Sequence, residues 1–302
     1  MKVLVLGGTG MLGSMATKVL AEQGHEVFPT SRSGQPYPYD GDLIRWRLLS
    51  VEDESVWREI RRQELLDVDW IVNCLGATKP LMGEPSAEWV NGTFGWGLVR
   101  EAKGVRVIHA STDCVFDGSG GWPCEVDKPT ALDDYGRSKA SGEPDGALVL
   151  RCSIIGPECR EPARNLLGAA VEGRVAEGRH RHLWNGVTTL QWAKVVAGVI
   201  DNDNPIAGRV HLVPGGSCSK DRLVATILQA FGWLEHPLSV DGRGSAFDMR
   251  MSTARGDEVL KLWGQAGYDN PPGIEQMVWE LAEYCAEEKW PQAMWRYWRC
   301  GR

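Results

Sequence analysis

Residues 3–13 read Val-Leu-Val-Leu-Gly-Gly-Thr-Gly-Met-Leu-Gly, and this stretch decides the fold. Val3 to Leu6 is a short apolar run cut off by glycine, as expected of a buried strand. Gly7, Gly10 and Gly13 then fall at GxxGxxG spacing, and Met11 to Gln23 is helix-compatible, closing at Gly24. Glycine lets the backbone turn tightly and approach a pyrophosphate without a Cβ clash. The helix that follows presents unpaired N–H groups and its positive dipole end to that anion. The loop is therefore read as a dinucleotide cradle, with Gly7, Thr9, Gly10, Met11, Leu12 and Gly13 as its contacts.

Outward from the loop, His25 to Thr30 reads as a second strand. Binders of NAD place an acid about 20 residues past the glycines to hold the ribose 2′-OH. Here the stretch is Pro29-Thr30-Ser31-Arg32-Ser33, with an arginine and hydroxyls that suit a 2′-phosphate. NADP(H) is expected ahead of NAD(H), held by Ser31 and Arg32. Asp53 to Glu64 reads as a helix with Trp57 and Ile60 inward. Further strands are expected at Trp70–Leu75, Val105–Ala110 and Ala147–Cys152, and a helix at Ser86–Lys103. Strands alternating with helices argue for a parallel sheet covered on both faces. The expected fold is α/β, a Rossmann-type doubly wound parallel sheet over residues 1–153 with a smaller C-terminal substrate-binding lobe over 154–302. The two are interwoven, part of 186–213 completing the sheet. In the second half, helices are expected at 165–176, 188–200, 220–231 and 274–288, with a short strand at 209–213.

The chain has 302 residues, 43% hydrophobic and 24% charged, with net charge −7, an ordinary globular composition. The acidic balance argues against nucleic acid and against an anionic membrane as partners. Eight cysteines are scattered without a CxxC pair or zinc-like spacing, so free thiols in a reducing cytoplasm are expected and no metal site. The apolar N-terminal run is too short for a signal peptide, and no run approaches a membrane span. The tail from Trp290 to Trp298 is read as a packed terminal segment at a subunit contact, with a homodimer as the expected assembly.

Tyr135-Gly136-Arg137-Ser138-Lys139 supplies YxxxK. On a helix, residues i and i+4 share a face, so phenol and ammonium address one site. A unit charge ~4 Å away at an effective dielectric of ~20 is worth about 4 kcal/mol, so Lys139 is expected to favour the phenolate. Upstream, Ser111 and Thr112 come just off the carboxyl end of a strand, where open α/β sheets bind ligands. A hydroxyl there can bond a reacting carbonyl oxygen.

With these motifs in order, the chain resembles the extended short-chain dehydrogenase/reductases and, within them, the dTDP-4-dehydrorhamnose reductase group. The resemblance runs from Met1 to about Ser153 through GGTGMLG (7–13), WIVNCLG (70–76), Val90-Asn91, STDCVFDG (111–118) and YGRSK (135–139) followed by Gly142-Glu143. It continues more faintly through RCSIIGPE (151–158) and GVTT (186–189). It implies an NADPH-dependent reduction of a 4-keto group on a nucleotide-activated deoxysugar. Tyr135 would give the proton, Lys139 would hold the nicotinamide ribose and lower the tyrosine pKa, and Thr112 would orient the carbonyl. Ser111 and Asn91 would support them, and Cys74, Leu75, Gly76 and Ala77 would line the cofactor. The chain departs from the family at Cys114, where tyrosine is usual, and at Leu48–Ser50 and Pro80–Glu84, where acids are usual. Candidate substrate contacts are Asp113, Asn165, Trp184, Asn185, Thr188 and Arg250, with Arg174, Arg179, Arg181 and Arg243 as further cations for a diphosphate. Two alternatives stand beside the reductase. One is a nucleotide-sugar epimerase or dehydratase, although dehydratases carry Asp-Glu where this chain has Asp113-Cys114. The other is a non-catalytic dinucleotide-binding regulatory subunit.

Overall fold

A computed structural model of the chain describes residues 1–32, 41–158, 165–171, 177–232, 239–241 and 246–288. Ser33, Arg174, Arg243, Cys159, Cys300 and the tail from Trp290 to Trp298 lie outside the described residues. In chain order the strands are β1 (Lys2–Leu6), β2 (Glu26–Ser31), β3 (Arg47–Leu48), β4 (Trp70–Asn73), β5 (Arg106–Ala110), β6 (Leu148–Arg151), β7 (Ile154–Ile155), β8 (Glu177–Arg179), β9 (His182–Trp184), β10 (Val187–Thr188), β11 (Gly208–His211), β12 (Cys218–Ser219), β13 (Ser239–Asp241) and β14 (Phe247–Asp248). The helices are α1 (Met11–Glu22), α2 (Val56–Arg62), α3 (Phe94–Glu101), α4 (Asp134–Ser141), α5 (Leu166–Val171), α6 (Thr189–Asp201), α7 (Lys220–Ala230), α8 (Gly256–Gln265) and α9 (Ile274–Glu287).

The main sheet has seven strands in the order β11-β6-β5-β4-β1-β2-β3. Every pairing in it is parallel. The strand order reverses between β1 and β4, so the carboxyl ends of these two strands open the crevice where such sheets hold ligands. Each strand serves two cores because successive side chains face opposite ways. Val3 and Val5 enter one core with Met15, Leu20 and Trp192, where α1 packs on α6. Leu4 and Leu6 enter the other with Trp57, Ile60, Phe94 and Leu98. Trp57 and Ile60 are both buried, as their spacing on the second helix predicts, and Trp57 stacks on Phe94 at 5.1 Å.

The expected continuous helix over 86–103 is broken into a π-helical turn at Trp89–Thr93 and the regular α3. Such single π turns cluster at functional sites, and this one buries Asn91. In the second half, strands of two or three residues make small sheets, β12-β9-β14, β10-β7 and β13-β8. Pieces that short carry no readable periodicity. Helix α8 went unpredicted although Val259, Leu262 and Trp263 sit at helical spacing on its buried face. Among the described residues, no helix is long and apolar enough to cross a membrane, and six cysteines, Cys74, Cys114, Cys124, Cys152, Cys218 and Cys285, are free thiols.

Candidate active site

The glycine loop turns at Gly7, whose φ of +79° suits a residue without Cβ. Its N–H donates to Thr30 Oγ1 at 3.0 Å, and its carbonyl accepts the Gly10 N–H at 2.9 Å. Thr30 thereby joins the loop to the carboxyl end of β2. A Cβ on Gly13 would run into the Gly7 carbonyl oxygen. Helix α1 starts at Gly10 with no side-chain cap and no acid in its first turn, which leaves its positive end turned toward the crevice. Ser31 is buried at the end of β2, and Arg32 follows it, exposed. Asn165 stands across the loop. Its Nδ2 donates to the Met11 sulfur at 3.1 Å and to the Gly156 carbonyl at 2.8 Å, and its Oδ1 accepts the Gly168 N–H at 2.8 Å.

Beyond β4, Cys74 to Ala77 form the opposite wall of the crevice. Asn91 clamps this loop. Its Oδ1 accepts the Ala77 N–H at 2.8 Å, and its Nδ2 donates to the Ala77 carbonyl at 2.9 Å and to Ser138 Oγ at 3.2 Å. The clamp joins the loop to α4, which carries Tyr135 and Lys139. Replacing Asn91 by alanine strands these partly buried partners. The expected loss is about 1–3 kcal/mol of stability, to be read from the midpoint of denaturant unfolding.

At the end of β5, the Ser111 N–H donates to the Leu150 carbonyl at 2.8 Å and its hydroxyl to Glu143 Oε1 at 2.6 Å. Thr112 caps the turn at Asp113–Val115. Its hydroxyl donates to Asp113 Oδ1 at 3.1 Å and accepts the Cys114 N–H at 3.1 Å, and it stands near enough to the Tyr135 phenol to favour the phenolate. Helix α4 starts at Asp133, whose Oδ1 accepts the Gly136 N–H at 2.7 Å and whose Oδ2 takes the Lys79 ammonium at 2.5 Å. Lys79 also lies 5.9 Å from the centre of the Tyr135 ring. Lys139 is 5% exposed and donates to the Ala110 carbonyl at 2.8 Å.

The structure corrects the electrostatic expectation for Tyr135. Burial, Cys114, Asp113 and Asp133 push its phenol up, against the opposing pull of the nearby Thr112 hydroxyl. Lys139 gives one of its three N–H donors to the Ala110 carbonyl, and burial lowers its own pKa to about 8. The phenol is thus fully protonated at neutral pH. Asp113 is buried too, which raises its carboxyl against hydrogen bonds with Thr112 and Ser153. Burial and Asp113 push the Cys114 thiol up to about 12.

Asp113, which bonds Thr112, and Lys79, which lies over Tyr135, are on the wall of a cavity of about 380 Å³ together with Cys114, Ser153, Trp184 and Phe247. Of the expected substrate contacts, Asp113 and Trp184 are on this wall, and Asn165 stands beside it, next to Leu166. The other three lie off this wall. The Asn185 amide is buried and spent on Met251, donating to its carbonyl at 2.7 Å and accepting its N–H at 3.0 Å. Thr188 is wholly buried as the cap of α6. Arg250 pairs with Asp248 through Nε at 2.8 Å and Nη2 at 2.6 Å, lies 4.4 Å over the Trp122 ring, and faces a separate depression beside Gly118–Gly121. Arg179 and Arg181 are exposed and not on the cavity wall. The sequence reading missed Lys79, Lys220, His182 and Phe247 on the wall. Only Lys79 had a signal, its place in the loop after β4.

The model of the RmlD substrate binding domain family matches residues 1–155, just over half of the chain, and the chain belongs to that family. It is similar to the Haloferax volcanii protein named "Probable low-salt glycan biosynthesis reductase Agl14", with 36% identity over 168 residues, 51% of this chain and 54% of that protein. It is also similar to methionine adenosyltransferase 2 subunit beta of Danio rerio, with 30% identity over 187 residues, 59% of this chain and 54% of that one. The chain spans about half the length of the curated relatives it matches. Among solved structures, dTDP-4-dehydrorhamnose reductase of Bacillus anthracis in complex with NADP superposes with a TM-score of 0.73 at 17% identity, covering 94% of this chain and 99% of that one. The shared fold is the Rossmann-type parallel sheet with flanking helices.

Proposed function

We propose that the protein is an NADPH-dependent reductase of a 4-keto group on a nucleotide-activated sugar. The observation that carries this reading is the gathering of Thr112, a protonated Tyr135 phenol and the Lys139 ammonium at the end of β5, with Asp113 and Lys79 beside them on the cavity wall. The Haloferax reductase and the NADP-bound reductase structure support it. The cradle suits a dinucleotide: a Cβ on Gly10 would meet only the Gly7 carbonyl oxygen, at 3.2 Å, and α1 begins there uncapped. Gly7, Thr9, Gly10, Met11, Leu12 and Gly13 would hold the diphosphate, Ser31 and Arg32 the 2′-phosphate, and Cys74 to Ala77 with Asn91 and Ser111 the nicotinamide end. Once bound, the nicotinamide supplies the hydride.

The chain's own groups do the rest. Thr112 orients the carbonyl oxygen through its hydroxyl. Tyr135 gives that oxygen its proton, and solvent returns one to the phenolate. Lys139, as an ammonium, holds the ribose and stabilises the phenolate while it lasts. Asp113 and Trp184 contact the sugar nucleotide in the cavity.

The test titrates the protein with NADPH and NADH by quenching of tryptophan fluorescence, then follows NADPH oxidation with 4-keto sugar nucleotides. NADPH is expected to bind more tightly, and Arg32→Ala to lose roughly tenfold in NADPH affinity, about the worth of one charge-assisted hydrogen bond, with NADH affinity unchanged. NADH preference would move a nucleotide-sugar epimerase to the front. Binding without turnover on any such sugar would favour the regulatory-subunit reading, which the likeness to methionine adenosyltransferase 2 subunit beta keeps in play.

A further inference from the structure

Glu143 is a buried carboxylate that the proposed reaction leaves unused. It is 1% exposed. Its Oε1 accepts from Ser111 Oγ at 2.6 Å and from Arg151 Nε at 2.7 Å, and its Oε2 accepts from Arg151 Nη2 at 2.6 Å and Arg209 Nε at 3.0 Å. Lys139 stands four residues earlier and donates to the Ala110 carbonyl, next to Ser111. Carboxylate and ammonium therefore bracket the same two residues at the carboxyl end of β5.

We propose that Glu143 is a positioning residue that keeps Lys139 protonated and aimed at the Ala110 carbonyl. The last consequence, that an ammonium and not an amine faces the cofactor, rests on the function proposed above.

Two effects compete at Lys139. A fully buried lysine favours its neutral form, and a nearby carboxylate opposes this. Burial lowers Lys139, and the charge of Glu143 raises it. The other titratable groups facing Lys139 do not supply that charge at neutral pH. Cys74, from the loop after β4, has its thiol pushed up by burial. His109, on β5, is held neutral by burial, with its Nδ1 3.1 Å from Asn73 Nδ2. Tyr135, on the same helix, is protonated. Glu143 itself stays ionised, because Arg151, Ser111 and Arg209 outweigh its burial and hold it below the usual carboxylate range. If Glu143 only braced α4 against β6 through Arg151, removing the carboxylate and Arg151 together would leave the titration of Lys139 where it is, because no unpaired arginine charge would remain beside it.

The test reads that titration without cofactor or substrate. Lysines are labelled with 15N at Nζ, the Lys139 resonance is assigned by its loss in Lys139→Arg, and its midpoint is followed in the wild type, Glu143→Gln and Glu143→Asp. The midpoint is expected to fall by a unit or more in Glu143→Gln and to stay near the wild-type value in Glu143→Asp. A one-unit fall cuts the protonated share at pH 7.5 about threefold, and NADPH affinity at that pH should fall with it. If Glu143→Gln does not fold, the double variant Glu143→Gln/Arg151→Met removes the buried pair together, and the half-exposed Arg209 keeps Asp145 at 3.5 Å and the residue-143 backbone carbonyl at 3.3 Å. The same fall is expected there. A folded variant without the carboxylate whose Lys139 titrates as in the wild type overturns the proposal. A shifted midpoint in a protein that binds no NADPH supports the role of Glu143 and removes the reductase reading instead.

Discussion

Tyr135→Phe is expected to lower reductase turnover by about 10²–10⁴-fold, the usual worth of a positioned proton donor, while NADPH affinity stays close to that of the wild type. The substitution keeps the ring and its packing beside Lys79 and removes only the hydroxyl near Thr112. The cradle at Gly7–Gly13 and the ammonium of Lys139 are untouched, so the loss should fall on kcat. The pH dependence follows from the groups as they stand. Tyr135 is raised by burial and acidic neighbours, so the donor remains charged with its proton through neutral pH. Lys139, lowered to about 8, is the first of the pair to deprotonate as pH rises. Turnover should therefore be flat at neutral pH and decline above about pH 8, with apparent values that belong to the pair. Steady-state kinetics with a 4-keto sugar nucleotide, alongside fluorescence titration of NADPH, checks both points. Unchanged turnover in Tyr135→Phe would remove the tyrosine from the mechanism.

The half of the chain that builds the sheet was legible because its signals are long or chemically singular. The run at Val3–Leu6 ends in glycines, and only a strand buried on both faces needs four consecutive apolar residues there. YxxxK placed Tyr135 and Lys139 on one helix face, and the structure puts both beside the end of β5. What the sequence could not carry is the environment. The i, i+4 spacing says that phenol and ammonium share a face, yet which acceptor the ammonium takes depends on the Ala110 carbonyl, a backbone atom with no trace in the side-chain pattern. Asn185 and Thr188 misled for the same reason. Both are polar residues near the expected substrate lobe, but one is spent on the Met251 backbone and the other on capping α6. Glu143 was visible as part of a motif, but its role depends on Ser111, 32 positions away, and on Arg151 of the next strand.

The glycines of the loop are alike in the motif and unlike in the structure, and substitution should separate them. At Gly13 a Cβ would collide with the Gly7 carbonyl oxygen and lie 2.8 Å from the Gly7 carbonyl carbon. These are backbone atoms, and no side chain can move to make room. Gly13→Ala must push α1 away from the loop, and α1 is packed into the core through Met15, Leu20 and its contact with α6. The expected cost is at least the ~1–3 kcal/mol of an overpacked core, together with loss of NADPH binding. At Gly10 the added methyl would meet only the Gly7 carbonyl oxygen, at 3.2 Å, and the φ of −77° is open to alanine. Gly10→Ala should therefore unfold close to the wild type in denaturant. Its methyl would instead occupy the space over the first turn of α1, where a diphosphate must come close to the backbone N–H groups, so NADPH binding should weaken sharply in a protein that is otherwise intact. Gly10→Ala that binds NADPH as the wild type does would mean that the glycines serve packing alone, and the loop would then not be the cradle on which the reductase reading depends.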